Sequence, residues 1–398
     1  MTIDRAAALS WYQRNRDRSR ALFDMLPEDV YYRRPIDLRH PVVFYDGHLP
    51  GFSFNTLVKK ALGRPSIDAR LESLFARGID PHESQGGGNG AAWPSREAVR
   101  AFVDEADARV VDALNNEDLH RPGHPLLDRA DAVFTILEHE AMHQETLLYM
   151  WHRLPFDQKK RPAGYAPVVN GREPVQEWID IPAGRATLGA DPASLPFAWD
   201  NEMPRYEVDV PAFAIQKHDI TNALYMEFVE AGASPPLFWE RVDGEWFWRG
   251  MFELIPLPLS WPVFVSQAEA TAYARWRGWR LPTEAEYQRA AVGASPGVCD
   301  FSSWDPEPAG SHPAGASRYG VDDLVGNGWE WTSTPFAPFP GFRASASYPE
   351  YSADFFDGEH FVMKGASPAT AKDLIRPTFR NWFRPRYPYV YATFRCVR

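Results

Sequence analysis

Apolar residues spaced three and four apart dominate the chain from Ile3 to about Arg153. The stretches WYQRNRDRSRALFDML, SIDARLESLFARG, SREAVRAFVDEADARVVDALNN and ADAVFTILEHEAMHQETLLYMWHRL each carry one apolar stripe, the mark of an amphipathic helix. Four such segments predict a helical bundle. Breakers stand at the joints: Pro35 and Pro41, the Gly86 to Gly90 run, Pro94-Ser95 as a helix start, and Arg121-Pro122-Gly123. Beyond Lys159 the pattern changes. KKRPAGYAPVVNGREPV is polar and interrupted by Pro and Gly, which reads as a linker. After it, VQEWIDIPAGRATLGA and YEVDVPAFAIQKHDI alternate as strands do, and SQAEATAYARWRG and PTEAEYQRAA read as helices among long Trp- and Pro-rich loops. The organisation expected is a helical bundle over 1–158, a linker over 159–175 and a compact α+β domain over 176–398.

Composition narrows the partners. A formal charge of −11 argues against a nucleic-acid backbone or an anionic membrane surface. Cys299 and Cys396 are the whole cysteine complement, too few for a disulfide framework or a Cys-rich zinc module, which fits a reducing cytoplasm. The charged N-terminal stretch lacks the apolar core of a signal peptide, and no run reaches about 18 apolar residues, so a soluble, unexported protein is expected. The Gly86–Gly90 run, with no Lys-Ser/Thr after it, reads as a flexible surface loop and not a phosphate cradle.

The chemistry concentrates in HEAMHQE. His139 and His143 lie one helical turn apart, about 6 Å along the axis, so both imidazoles reach one ion. Ile136, Leu147 and Met150 share their face, which points the rings into the bundle, where an unpaired imidazole is costly. The same residues spell H-E-x-x-H, so a zinc peptidase with Glu140 as general base must be weighed. The residues after His143 do not continue into the extended metzincin pattern, and a third ligand at Glu173 or Glu177 would fall in the linker. His48, read as a helix start in VVFYDGHLPGFSFNTL, is the third histidine that can join the pair, with His40 as a competitor. Three neutral imidazoles without a nearby Cys suit Fe(II), Zn(II) or Cu, with positions left for substrate and O2.

On these motifs the chain resembles the nonheme-iron sulfoxide synthases of ergothioneine biosynthesis (EgtB-type). The matching stretches are GHLPGF at Gly47, HEAMHQE at His139, GRATLG at Gly184, RLPTEAEYQRAA at Arg280, GNGWEWTSTPF at Gly326, PGF with SYPEYS around Tyr348, KGASPAT at Lys364, and FRNWFRP closing in TFRCVR. The resemblance implies an α+β chain: a DinB-like four-helix bundle followed by a C-type-lectin-like, formylglycine-generating-enzyme-like (sulfatase-modifying-factor) domain with little regular structure. It implies Fe(II) held by His48, His139 and His143, O2 as co-substrate, and a C–S bond formed between a thiol and the imidazole C2 of hercynine, an imidazole betaine. It also implies a catalytic tyrosine from the second domain, which Tyr348 matches with Tyr351 behind it. Trp382 matches the residue facing the trimethylammonium group, with Asn381 beside it.

Departures accompany the match. The loop GIDPHESQGGGNG lacks the Arg pair of members that use γ-glutamylcysteine, so cysteine or a related thiol is expected, with His82 and Glu83 as substitute contacts. Met142 stands where the family has Gln and Phe383 where it has an acid, so contacts to both substrates must differ. A formylglycine generator needs a nearby thiol pair, which Cys299 and Cys396 do not provide. Other readings are a synthase using another sulfur or selenium donor, as in the selenoneine-forming branch, a zinc peptidase, and a noncatalytic ligand-binding module.

Overall fold

A computed structural model describes residues 4–76 and 93–398, which fall into two compact units: residues up to 162 together with Ala346–Tyr348, and residues 163–345 with 349–398. His82, Glu83 and the Gly86–Gly90 run lie outside the described residues.

The first unit is helical. α1 (Arg5–Asp24) starts at Asp4, whose carboxylate accepts from Ala6 N. α2 (Val42–Ser53) continues without a break into a π-helical stretch, Phe54–Ala61. α3 (Ala69–Leu74) is a short turn of helix, and α4 (Arg96–Asn116) is capped by Ser95. α5 (Asp131–Arg153) carries the HEAMHQE motif. Phe54, Leu57, Val110, Leu114, Val133, Ile136 and Leu137 meet in the shared core.

Two expectations need correction. The fourth long helix of the bundle is α2 with its π-helical extension, not SIDARLESLFARG. Every residue of α2 except Asp46 is buried, so no polar face was there to reveal a helical period, and Gly47, Pro50 and Gly51 read as breakers. His48 accordingly sits in mid-helix instead of at a helix start. SIDARLESLFARG shortens because Glu72 turns inward and takes bonds from Ser66 Oγ (2.7 Å) and Ile67 N (2.6 Å) while pairing with Lys59. That inward acid closes a tight loop, and the helix ends at Leu74.

The second unit has short strands and much loop. β1 (Trp178–Ile181), β2 (Gly184–Leu188), β3 (Tyr206–Val210) and β4 (Phe213–Gln216) form two antiparallel ribbons, β1 with β4 and β2 with β3. After α6 (Asn222–Glu230), β5 (Trp239–Val242), β6 (Glu245–Arg249) and β7 (Leu254–Pro256) make an antiparallel meander. α7 (Gln267–Trp276) and α8 (Glu284–Ala290) both open with capping boxes, at Ser266 and Thr283. β8 (Gly328–Pro335), the turn α9 (Glu350–Ala353), β9 (Phe361–Ala366), β10 (Asn381–Phe383) and β11 (Ala392–Thr393) complete the unit. The closing sheet has the order β10-β9-β8-β11, with β11 parallel to β8. The alternating pattern gave no sign of α6, which buries only Asn222 and Tyr225.

Buried charges tie this loop-rich unit together. Arg395, fully buried, bonds Glu330 (2.7 Å) and Asp219 (3.1 Å); Arg380 bonds Glu284 (2.9 Å); Arg376 grips Glu202. Each acid or base of these pairs but Asp219, Glu202 and Arg376 lies in one of the family-matching motifs, so those motifs specify the scaffold. Cys299 and Cys396 are both buried and unbridged.

Candidate metal centre

His48 on α2 and His139 and His143 on α5 converge. Candidate ligand atoms of the three rings lie within 4.8 Å of one another, and the ring centroids are 5.0, 4.9 and 4.5 Å apart. His48 is oriented by its backbone partner: Nδ1 lies 2.8 Å from Phe75 O, so Nδ1 carries the proton and Nε2 presents its lone pair. Phe75 reaches this place because position 47 is glycine; a Cβ there would sit 2.5 Å from the Phe75 ring.

Aromatic walls surround the imidazoles. Phe52 stacks on His139 at 3.5 Å and 9°, Phe44 stacks on His48 at 5.1 Å, and Tyr45 lies 5.9 Å from His143. His40 stacks on the far face of this wall, against Phe44 at 4.1 Å, and is absent from the ligand cluster. Burial pushes all three imidazoles toward the neutral form, His48 down to about 4, and in the pair the neighbouring imidazoles add to it. Neutral imidazole is the metal-binding form. His48 Nε2, both ring nitrogens of His139 and His143 Nδ1 are buried without a hydrogen-bond partner. Orphaned buried nitrogens of this kind are costly unless something accepts their lone pairs, and a divalent ion does. The donor set therefore fits Fe(II), and equally Zn(II).

Tyr348 belongs to the same unit. Its ring packs 5.1 Å from Phe52 and 6.1 Å from His139, and the preceding Ser347 hydroxyl donates to Asp131 at the start of α5. Met142 is half-buried on α5 between the two ligand histidines. Glu140 does not face the imidazoles: its Oε1 accepts from Arg16 Nη1 (2.8 Å) and Ser19 Oγ (2.7 Å) on α1. The peptidase reading thereby loses its general base. Glu173 accepts from Thr221 in the second unit.

The remaining predicted residues lie in the second unit. Tyr351 is buried and stacked on Trp199 at 3.9 Å, and its ring is 5.2 Å from Trp382. Trp382 stacks on Phe336 at 4.2 Å and 5°, with Phe355 at 5.6 Å. Asn381 Oδ1 accepts from Trp382 N (2.8 Å), and Phe383 stacks on Tyr387 at 5.1 Å. The motifs did not single out Phe44, Phe52 and Phe75; the spacing of Phe44, His48 and Phe52 at successive helical turns was the available signal.

The DinB superfamily matches residues 12–147, and the sulfatase-modifying factor enzyme 1-like domain matches residues 166–398. A protein named hercynine oxygenase from Mycolicibacterium thermoresistibile is 35% identical over 434 residues, covering 96% of this chain and 92% of that protein. Its namesake from Mycolicibacterium smegmatis is 32% identical, covering 72% of this chain and 74% of that protein. Ergothioneine biosynthesis protein 1 of Schizosaccharomyces pombe is 28% identical; 94% of this chain aligns, but it spans only 54% of that relative's length.

Proposed function

The chain belongs to the hercynine oxygenase family, and on that premise we propose that it is a nonheme Fe(II)- and O2-dependent sulfoxide synthase. It joins a thiol, cysteine or a relative of it, to C2 of the hercynine imidazole. One oxygen atom of O2 ends on sulfur, and the other leaves as water with the hydrogens of the thiol and of C2. The observation that carries the reading is the convergence of His48, His139 and His143 with buried nitrogens that lack any other partner.

In this reading the three imidazoles hold Fe(II), which when bound supplies the redox chemistry for O2 and a site for the thiolate. Phe44, Phe52 and Tyr45 keep water from the imidazoles. Tyr348, packed on Phe52, delivers a proton from its hydroxyl. Trp382 receives the trimethylammonium group on its indole, a contact worth about 0.5–2 kcal/mol. Tyr351 supports that indole from the side, and Asn381, whose carbonyl oxygen is turned to its own neighbour's backbone, contributes its NH2 group. Met142 and Phe383 shape apolar parts of the substrate pockets. A cytoplasmic setting is inferred from the two buried free thiols, and no described helix is long and apolar enough to cross a membrane.

The test is mass spectrometry of the products after aerobic incubation of iron-loaded protein with hercynine and a panel of thiols and selenols. A product carrying hercynine, the donor and one oxygen is expected, with O2 uptake. Uptake of zinc alone, or no O2 consumption with any donor, overturns the proposal.

A further inference from the structure

The side of α5 that faces α1 is built unlike the rest of the bundle core. Asn15 Nδ2 donates to Leu137 O (2.8 Å), and Gln144 Nε2 donates to Asn15 O (2.9 Å) and Ser19 Oγ (3.2 Å). Between these ties, Glu140 Oε1 accepts from Arg16 Nη1 and Ser19 Oγ. Arg16 Nε turns to Asp107 on α4 (2.9 Å), which also accepts from Tyr12 OH (2.7 Å) and Arg20 Nη2 (2.9 Å). Arg16, Asp107, Glu140 and Gln144 are all buried, the Glu140 side chain fully.

Stability alone is a weak reason for such a cluster. Desolvating an arginine and two carboxylates offsets much of their attraction, and well-packed apolar residues often serve as well. What the cluster adds is direction. Apolar contacts tolerate sliding and rolling of a helix, whereas hydrogen bonds to charged groups hold one geometry. Leu137, Glu140 and Gln144 bracket His139 and His143 along α5, and all three are tied to Asn15, Arg16 and Ser19 on one stretch of α1. Glu140 stands about 100° around the helix from His139, so any roll of α5 that moves its carboxylate also moves the imidazoles. Metal–ligand distances tolerate only about 0.2 Å.

We infer that the Arg16–Glu140 pair, with Ser19 and Gln144, is a positioning device that fixes the roll and register of α5 and so places both helical imidazoles for metal binding. The glutamate of the H-E-x-x-H motif thus acts behind the ligands. This inference rests on the reading of the three histidines as a metal site.

The test titrates the metal-free full chain with Co(II), read by its visible absorption, and melts each metal-free protein in parallel. Glu140→Gln keeps the shape but removes the charge; it is expected to raise the Co(II) Kd by about 10-fold or more and to shift the visible band. Leu114→Ala, which removes core packing from α4 and no polar tie to α5, lowers the melting temperature yet leaves Kd within about twofold. Ser19→Ala, a milder change that removes partners of Glu140 and Gln144, is expected to raise Kd by about threefold and keeps the test open if Glu140→Gln fails to fold. An unchanged Kd and spectrum in the α5-facing variants, or equal weakening in Leu114→Ala, overturns the inference. Wild-type chain that takes up no Co(II) overturns it together with the metal reading, whereas wild-type uptake with unaffected variants overturns the positioning role alone.

Discussion

Tyr348 is half-buried with its ring 6.1 Å from that of His139, and on the proposed reading it serves the chemistry while the imidazoles hold the metal. Tyr348→Phe is therefore expected to bind iron like the wild type and to lose about 10²–10⁴-fold in kcat, as a missing general acid does, checked by metal analysis beside steady-state O2 uptake. Glu202 illustrates a residue that serves the fold. Its burial would raise the carboxyl pKa, but Arg376, the Thr378 hydroxyl (2.6 Å) and the Trp199 N–H (2.9 Å) outweigh that and hold it below the ordinary 4.5. A carboxyl lowered by folding contributes stability above its unfolded pKa and loses it as pH falls through the folded one. Glu202→Gln is expected to cost about 3–5 kcal/mol at pH 7 by stranding the part-buried Arg376, and to flatten the loss of stability as pH falls below the ordinary 4.5. Urea melts across that range check the sign. At this scale the histidines were legible by their identity and spacing. Phe75 was not, because a backbone carbonyl that orients an imidazole leaves no trace in side-chain pattern.

Among the elements, α2 was the hardest to read and matters most to the site. A helix buried all round has no polar stripe, and its two glycines and Pro50 counterfeit a turn. Those small residues have a packing reason: at Gly47 the Phe75 ring occupies the place of a Cβ. Gly47→Ala is expected to destabilise the bundle by about 1–3 kcal/mol and, by shifting the Phe75 carbonyl away from His48, to weaken metal binding as well. Calorimetry and Co(II) titration measure the two effects separately. α5, by contrast, was readable end to end, because its apolar face and its two histidines repeat at helical intervals. α6 escaped because it is short and apolar at most of its nine positions, so no separate polar face marked a helical period, and only Asn222 and Tyr225 are buried.

At the scale of the molecule, the order of a helical unit followed by a loop-rich α+β unit was legible from the change of hydrophobic period, and the motifs that mark the second unit turn out to hold its buried ion pairs. Which residues face each substrate was less legible, since Trp382 and Tyr351 sit in an aromatic cluster where any of several rings could present a face. Metal should act as a stabilising ligand for the whole chain. With free metal at about 100 times Kd the folded state gains about 2.7 kcal/mol, so a chelator is expected to lower the melting temperature and Fe(II) or Zn(II) to restore it, read by scanning calorimetry. The three residues Ala346–Tyr348 pack with the helical unit although the chain on either side of them builds the other. On the proposed reading, ion capture and phenol delivery are encoded in distant stretches of one polypeptide, and a chain severed between them is expected to keep its grip on the ion while losing its proton source. On that reading, the stretches that flank Ala346–Tyr348 in the chain matter to turnover even for steps in which none of their own side chains takes part.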